Sequence, residues 1–342
     1  MRLLCLVNDR AGLNPSQSTT AMAVEAARRY GESWIAGIED ISLDVDGEIV
    51  FSATRIGANA DTTSAEALRA IASTSPRSLK TCELDAVLIR TNPGRDKIRT
   101  ALHEATLNLC RMAAARGVRV LNDPDALPKA SDELFLAYLP ESHRPRMMVS
   151  REPKRLRDFV ESASGSSVLK PLFGTQGKGV FRVRAGGPNL GALIEVLTAE
   201  GYVIAQEYLR RAPEGDTRVV IVDGRPLEVG GRVCAVRRVP SGGEFRSNIH
   251  LGGRAIAADP SRALLRAANE IGELMAAHGI WMAGVDLVGT KAVEVNVRSP
   301  GGLVDAGIFE QTDFTGAAID SVERAVGIAP RHHETFEPSL EG

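Results

Sequence analysis

The chain has 342 residues, 44% hydrophobic and 25% charged, a length that suits two or three sub-domains sharing a continuous core. Its 41 basic and 43 acidic side chains nearly cancel, which excludes the broad basic face of a nucleic-acid binder and confines any affinity for anions to a local site. Four widely spaced cysteines, Cys5, Cys82, Cys110 and Cys234, form no CxxC pair, which excludes a zinc site or disulfide framework and predicts reduced thiols.

The opening MRLLCLVNDR predicts a buried strand over 2–7. Its apolar run is too short for a signal peptide or membrane span, so a cytoplasmic protein with no membrane partner is expected. A helix follows near 19–30. Apolar segments at 33–38, 47–51, 85–90 and 117–121 alternate with helical stretches at 63–73 and 96–116, which argues for a parallel, layered α/β domain closing at Asn122-Asp123-Pro124. A proline-bounded helix is expected over 128–145, then a charged helix at 152–163 led by Ser150 as a cap. Strand 167–172, a glycine-rich loop at 174–179, strand 179–184, helix 188–200 and strand 202–208 complete a two-layer α+β unit. The last third carries strands near 217–222 and 226–238, a glycine-rich loop at 240–254, a helix at 260–278, and strands 283–288 and 292–297. The polar tail after 330 is expected to be disordered, with His332 and His333 solvated rather than ligating.

The most informative stretch is GVDLVGTKAVEVNVRSPGG, 284–302. Two β-rich runs flank Gly289-Thr290-Lys291, a tight connection suited to a hairpin. A three-residue loop pairs 288 with 292, 286 with 294 and 284 with 296. Asp286 and Glu294 then stand opposite each other, with Asn296 two residues along on the same face. Opposed carboxylates repel unless a cation sits between them, and two carboxylates beside an amide suit Mg²⁺, which leaves its other positions to water and phosphate. The alternative is an amphipathic hairpin with a wet polar face, and a one-residue slip in register would remove the metal site.

Lys170 sits mid-strand in Val168-Leu169-Lys170-Pro171-Leu172, where a lysine needs an anion to face. Close behind come Gly174-Thr175-Gln176-Gly177-Lys178-Gly179, whose glycines let backbone N–H groups approach a phosphate. The loop is neither a Walker A motif nor GxGxxG, and a plain turn is its ordinary alternative. The strand Val203–Leu209 turns abruptly polar at Gln206-Glu207-Tyr208-Leu209, which suits a purine edge and a ribose hydroxyl, or simply a strand leaving the core. Asp216 and Arg218 open the next strand, where a surface ion pair is an equal alternative.

Lys170 with its glycine loop, Gln206–Leu209, Asp216-x-Arg218, the loop Gly242–Arg254 and Asp286…Glu294-x-Asn296 occur in one order. In that order the chain resembles the ATP-grasp superfamily, and closely its bacterial glutathione synthetases. The resemblance implies an α/β and α+β protein: an N-terminal parallel domain (1–121), a small central lid (122–208) and a C-terminal antiparallel core (209–330), with a tail at 331–342. It implies ATP held by Lys170, Gly174, Thr175, Gln176, Gly177, Lys178, Gly179, Gln206, Glu207, Tyr208, Leu209 and Asp216. Mg²⁺, with Mn²⁺ as an alternative, falls to Asp286, Glu294 and Asn296. Arg246 and Asn248 lie in a loop that closes over the reacting groups, and Arg298 joins them in catalysis. Substrate carboxylates fall to Arg237 or Arg238, Arg246 and Arg298, with Arg90 contributing from the N-terminal domain, and substrate binding extends to Arg218, Ser299, Gly301 and Gly302. Small peptide-like acid and amino-acid substrates and a homo-oligomer are further expectations of the resemblance.

Three departures stand near the substrates. The family's first ATP-binding lysine aligns with Glu133, leaving Lys129, one helical turn away, as the substitute. The hairpin ends in Ser299-Pro300-Gly301-Gly302 where close relatives carry a small thiol or hydroxyl after proline. Arg90 is followed by TNPGRD instead of a charged diproline segment. The leading expectation is a glutathione synthetase joining γ-glutamylcysteine to glycine through an acyl-phosphate. A related ligase with another acid and amine, and a non-catalytic nucleotide-binding protein, are the alternatives.

Overall fold

The computed structural model of the chain describes residues 1–130, 133–172, 179–240 and 253–328, and the elements below are drawn from those. The fully buried apolar run Leu3–Val7 forms a central strand, as a strand covered on both faces should. It pairs in parallel with Glu32–Gly37 and Ala86–Ile89, and the latter in parallel with Arg119–Leu121. Ile49–Gly57 then runs antiparallel to Glu32–Gly37 and to the short strands Ile41–Leu43 and Arg77–Lys80. The expected all-parallel sheet is therefore mixed, because a return strand adds an antiparallel edge. The helix Ser64–Ala72 begins where expected, at a capping box between Thr63 and Glu66.

The proline-bounded helix expected over 128–145 is broken. Ala126–Ala130 is one short helix and Glu133–Tyr138 is a 3₁₀ segment, with another at Glu141–His143. Pro140 and Pro145 each lack a backbone donor, so the helical stretch ends before them, and residues 131–132 lie outside the described residues. Ser150 does not cap the next helix conventionally: Glu152 occupies that position at the start of Pro153–Glu161, and its N–H donates to the Ser150 hydroxyl.

The middle sheet is antiparallel, ordered Phe181–Val183, Ser167–Pro171, Val203–Glu207, Met147–Ser150. Helices Pro153–Glu161 and Leu190–Glu200 cover one face, around Leu156, Phe159, Ile194 and Val203. The last sheet is also antiparallel and orders Arg254–Ala257, Ala235–Val239, Asp216–Val222, Met282–Val288 and Lys291–Asn296. Helix Arg262–Ala277 packs behind it through Leu264, Ala268, Ile271 and Met275. That apolar cluster continues into the N-terminal sheet through Phe135, Leu107 and Leu4.

Two polar clamps fix the parts together. Asn122 donates to the carbonyls of Met282 (2.9 Å) and Val297 (3.3 Å) and accepts from the Met282 N–H (2.6 Å), tying the connector to the last sheet. Helices Leu303–Glu310 and Phe314–Ala325 return to the N-terminal unit. There Arg29 meets Asp320 (2.6 Å), the fully buried Glu323 (3.0 Å) and Glu25 (2.8 Å). Breaking a buried pair strands the remaining charge, so Arg29→Met is expected to cost about 3–5 kcal/mol. Chemical denaturation checks this, and a loss under about 1 kcal/mol would show that Glu323 finds another partner.

Candidate active site

The last sheet carries a charged row. Arg218, Asp286 and Glu294 are direct cross-strand partners on neighbouring strands, and Gly284 pairs with Asn296. The turn is tighter than the expected three-residue loop, because Val288 already pairs with Lys291. A β-bulge beside Leu287 then absorbs the extra residue Val293 and restores Asp286 to Glu294. The expected juxtaposition is thus reached by a different route, and the displaced Val293 carbonyl accepts from the Lys170 ammonium at 3.4 Å.

Asp286 is wholly buried. Arg218 grips it with two parallel hydrogen bonds of 2.7 Å, a bidentate fork. Arg238 adds a contact of 2.6 Å to Oδ2, and the Asn296 amide donates to the same oxygen at 3.1 Å. Burial raises the pKa of this carboxylate, but the two arginines outweigh it and hold the group below the ordinary carboxylate range. Arg238 also pairs with the buried Asp216 at 2.7 Å. Asp216 and Arg218, expected at ATP and substrate, therefore belong to one buried network with Asp286.

Glu294 is its opposite. It is half-buried, and among the described residues it has no hydrogen-bond or ion-pair partner. Burial, then the charges of Asp286 and Glu133, push its pKa up to about 7. A crowded carboxylate beside the Asn296 amide and a second carboxylate is what a divalent cation relieves. The oxygen set fits Mg²⁺ completed by phosphate oxygens and water, and among the described residues no three His, Cys, Asp or Glu side chains form a closed cage. Asp286 is not an open ligand as it stands. It would offer a remaining lone pair or exchange one arginine for the ion.

Lys170 is nearly buried and its ammonium meets Glu133 at 2.7 Å. The departure at Glu133 thus brings in an anion where the resemblance implies a second cation. Lys129 is exposed on Ala126–Ala130. Gly179, with φ +72°, lies against Pro171 at the end of the expected phosphate loop. Gly174, Thr175, Gln176, Gly177 and Lys178 lie outside the described residues, as do Arg246 and Asn248.

Gln206 is buried, with its side-chain carbonyl unpartnered among the described residues, an acceptor suited to a purine amino group. Glu207 accepts from the Arg146 backbone (3.2 Å) and Lys291 (3.1 Å), which offset its burial and lower its pKa. Arg182 stacks at 4.0 Å over Tyr208, and Leu209 is half-buried beyond it.

Among the expected substrate residues, Arg90 is buried and spends its donors internally, on Thr19 (3.0 Å), Met282 sulfur (3.3 Å) and the Pro300 carbonyl (2.7 Å). It braces the loop instead of reaching into it. Arg237 donates to the Glu214 carbonyl at 2.6 Å. Ser299 lies 3.4 Å from Thr19. Gly302 has φ +128°, with Val220 at 3.1 Å from where a Cβ would be, so a side chain there is strained, whereas Gly301 faces open space. Arg298, whose pKa burial lowers to about 10, lines a cavity of about 440 Å³ with Glu294, Asn296 and Glu133. Asn92, Gly94 and His103 form its N-terminal side and Asp96 braces it; the first two and Asp96 lie in the TNPGRD segment already marked as a departure, whereas His103 was not singled out from sequence.

The chain matches two family models: prokaryotic glutathione synthetase, N-terminal domain, over residues 1–127, and prokaryotic glutathione synthetase, ATP-grasp domain, over residues 132–311. It is 36% identical to glutathione synthetase of Shewanella oneidensis over 72% of this chain and 75% of that one. Identity to glutathione synthetase of Vibrio parahaemolyticus is 31%, over 90% and 93% respectively. Among solved structures, the ATP-grasp ligase PsnB complexed with minimal precursor, Mg and ADP superimposes with a TM-score of 0.63 at 18% identity, over 95% of this chain and 98% of that one. The D-cycloserine synthetase DcsG gives 0.61 at 20% identity, over 94% and 99%. These likenesses establish the ATP-grasp fold, and no described helix is long and apolar enough to cross a membrane.

Two outcomes follow from the site's charges. Without divalent cation the folded chain keeps a proton on Glu294 that the unfolded chain has released, so this residue subtracts stability as pH rises from the ordinary glutamate range to about 7. Glu294→Gln should therefore melt above the native metal-free protein at about pH 8 and lose that advantage by about pH 4; an advantage independent of pH contradicts the assignment. Glu133→Gln, by freeing Lys170 for phosphate, should tighten ATP binding about fivefold to tenfold, or roughly 1 to 1.4 kcal/mol. Calorimetry reads this directly, and unchanged or weaker binding contradicts it.

Proposed function

The chain belongs to the prokaryotic glutathione synthetase family, and from that premise we propose that it condenses γ-glutamylcysteine with glycine, forming ADP and phosphate. Glu294, Asn296 and Asp286 would hold a Mg²⁺, which would supply charge stabilisation at the phosphoryl group, and Lys170 adds its positive charge as ATP phosphorylates the acid's carboxylate. The amine of glycine then displaces phosphate from the acyl carbon, and Arg298 in the cavity fixes a substrate carboxylate. Mn²⁺ would meet the same oxygen donors. Gln206 and the strand end behind it receive the adenine, and the residues of 240–254, with Arg246 and Asn248, cover the reacting groups. The working assembly is taken as a homo-oligomer, by the same resemblance.

The observation that carries the proposal is the register that sets Asp286 against Glu294, with Asn296 alongside, inside a family match spanning nearly the whole chain. A second ligase reading, with another acid and amine, is favoured by two features on the substrate side. Gly301 faces open space, and the cavity is walled by the TNPGRD segment.

Purified protein is expected to release phosphate from ATP only when γ-glutamylcysteine, glycine and Mg²⁺ are all present. Phosphate release with a different acid and amine, and none with this pair, would transfer the conclusion to the second reading.

A further inference from the structure

The cavity beside Glu294, Asn296 and Arg298 contains a histidine whose chemistry the ligase reading leaves unused. His103 lies on the helix Thr100–Ala115 and is only 3% exposed. Its Nε2 sits 3.0 Å from Asp96 Oδ2, while Nδ1 is buried with no hydrogen-bond partner among the described residues. His103 lines this cavity, and a buried polar atom left unsatisfied beside it calls for a ligand group to meet it. The orienting chain is complete behind it. Arg99 pairs with the same Asp96 oxygen at 2.8 Å and with Glu39 at 3.0 Å.

The tautomer follows from these partners. The hydrogen bond from Arg99, aided by that of His103, holds Asp96 below the ordinary carboxylate range, so it stays ionised. An ionised carboxylate only accepts, so Nε2 carries the ring proton and Nδ1 presents a lone pair. Burial, reinforced by the charges of Arg298 and Arg99, lowers the histidine pKa against the pull of Asp96, which keeps the ring neutral. The charged groups that share the cavity are Lys97, Glu104, Glu133, Glu294 and Arg298.

We propose that His103, oriented by Asp96, is the general base that receives the ammonium group of the amine substrate in this cavity. The inference rests on the amide-ligase reading and adds the group that makes the nucleophile. An amino acid arrives at neutral pH as its ammonium ion, which cannot attack. One ammonium proton passes to Nδ1, and Asp96 stabilises the resulting imidazolium. The freed nitrogen lone pair forms the C–N bond as the carbon–oxygen bond to phosphate breaks. The nitrogen's excess proton leaves on the departing phosphate, and the imidazolium returns its proton to solvent. Nδ1 of a cavity-lining histidine suits an amine, and Arg298 on the same cavity suits a carboxylate, so the class of ligand is an α-amino acid.

The test uses full-length enzyme, γ-glutamylcysteine and two alternative amines: glycine, which is protonated at neutral pH, and hydroxylamine, which is not and so needs no base. His103→Gln and Asp96→Asn are each expected to lower kcat with glycine by roughly 100-fold or more, the usual contribution of a general base. Both variants should keep hydroxamate formation near the native rate, which also reports that they fold and still phosphorylate the acid. Equal losses with both amines, or glycine turnover unchanged, overturn the base role while leaving the ligase reading intact. Neither amide nor hydroxamate from the native enzyme overturns the ligase reading, and this inference with it.

Discussion

The site depends on one fully buried carboxylate. Asp286 sits in the middle of a sheet with no solvent, and it is tolerated there because Arg218 reaches it from the neighbouring strand and Arg238 from the strand beyond. Much of the local backbone is fitted to that contact. Gly284 leaves 3.3 Å between its missing Cβ and the Arg218 side chain, and Gly215, at φ +95°, lies under the Arg238 carbonyl where any side chain would collide. With Asp216 on Arg238 and Glu133 on Lys170, each of these charges has its counter-charge. Among the described residues Glu294 has no such partner. The unbalanced negative charge sits where the resemblance implies a divalent cation, so the same electrostatics that make the sheet stable prepare it for metal-bound nucleotide.

How far the sequence foretold this differs from element to element. Alternation along a hairpin fixes which side chains share a face, so Asp286, Glu294 and Asn296 could be grouped from spacing alone. The loop length behind that grouping was off by one residue, and the bulge at Val293 compensated. Lys170 was legible because a lysine within an apolar strand needs an anion, but the partner found is Glu133, which the departure from the family pattern had flagged only as a missing cation. Arg238 could be offered only as an alternative to Arg237. Its reach depends on the register between Asp216–Val222 and Ala235–Val239, and the short strand pieces between them carry no periodicity that reveals it.

Elsewhere the limits were physical in a different way. The antiparallel edge of the N-terminal sheet rests on strands as short as Ile41–Leu43 and Arg77–Lys80, too brief for a periodic signal. Helices Leu303–Glu310 and Phe314–Ala325 carried no element prediction, although both are anchored firmly, the second by Arg29. Arg90 was assigned to a substrate carboxylate through the resemblance, yet its burial makes it a brace for the Pro300 carbonyl. The cavity joining His103 to Arg298 unites residues nearly two hundred positions apart, and only the assembled fold brings them together.

The central claim is that this electrostatic arrangement serves an acyl-phosphate. Acid substrate labelled with heavy oxygen in its reacting carboxylate tests that claim most directly, by mass analysis of the phosphate released in a complete reaction with ATP, Mg²⁺ and amine. The account predicts that one labelled oxygen is carried into each inorganic phosphate, because the carboxylate oxygen becomes the bridge to phosphorus and leaves with it. Amide formation with no label in phosphate would contradict it.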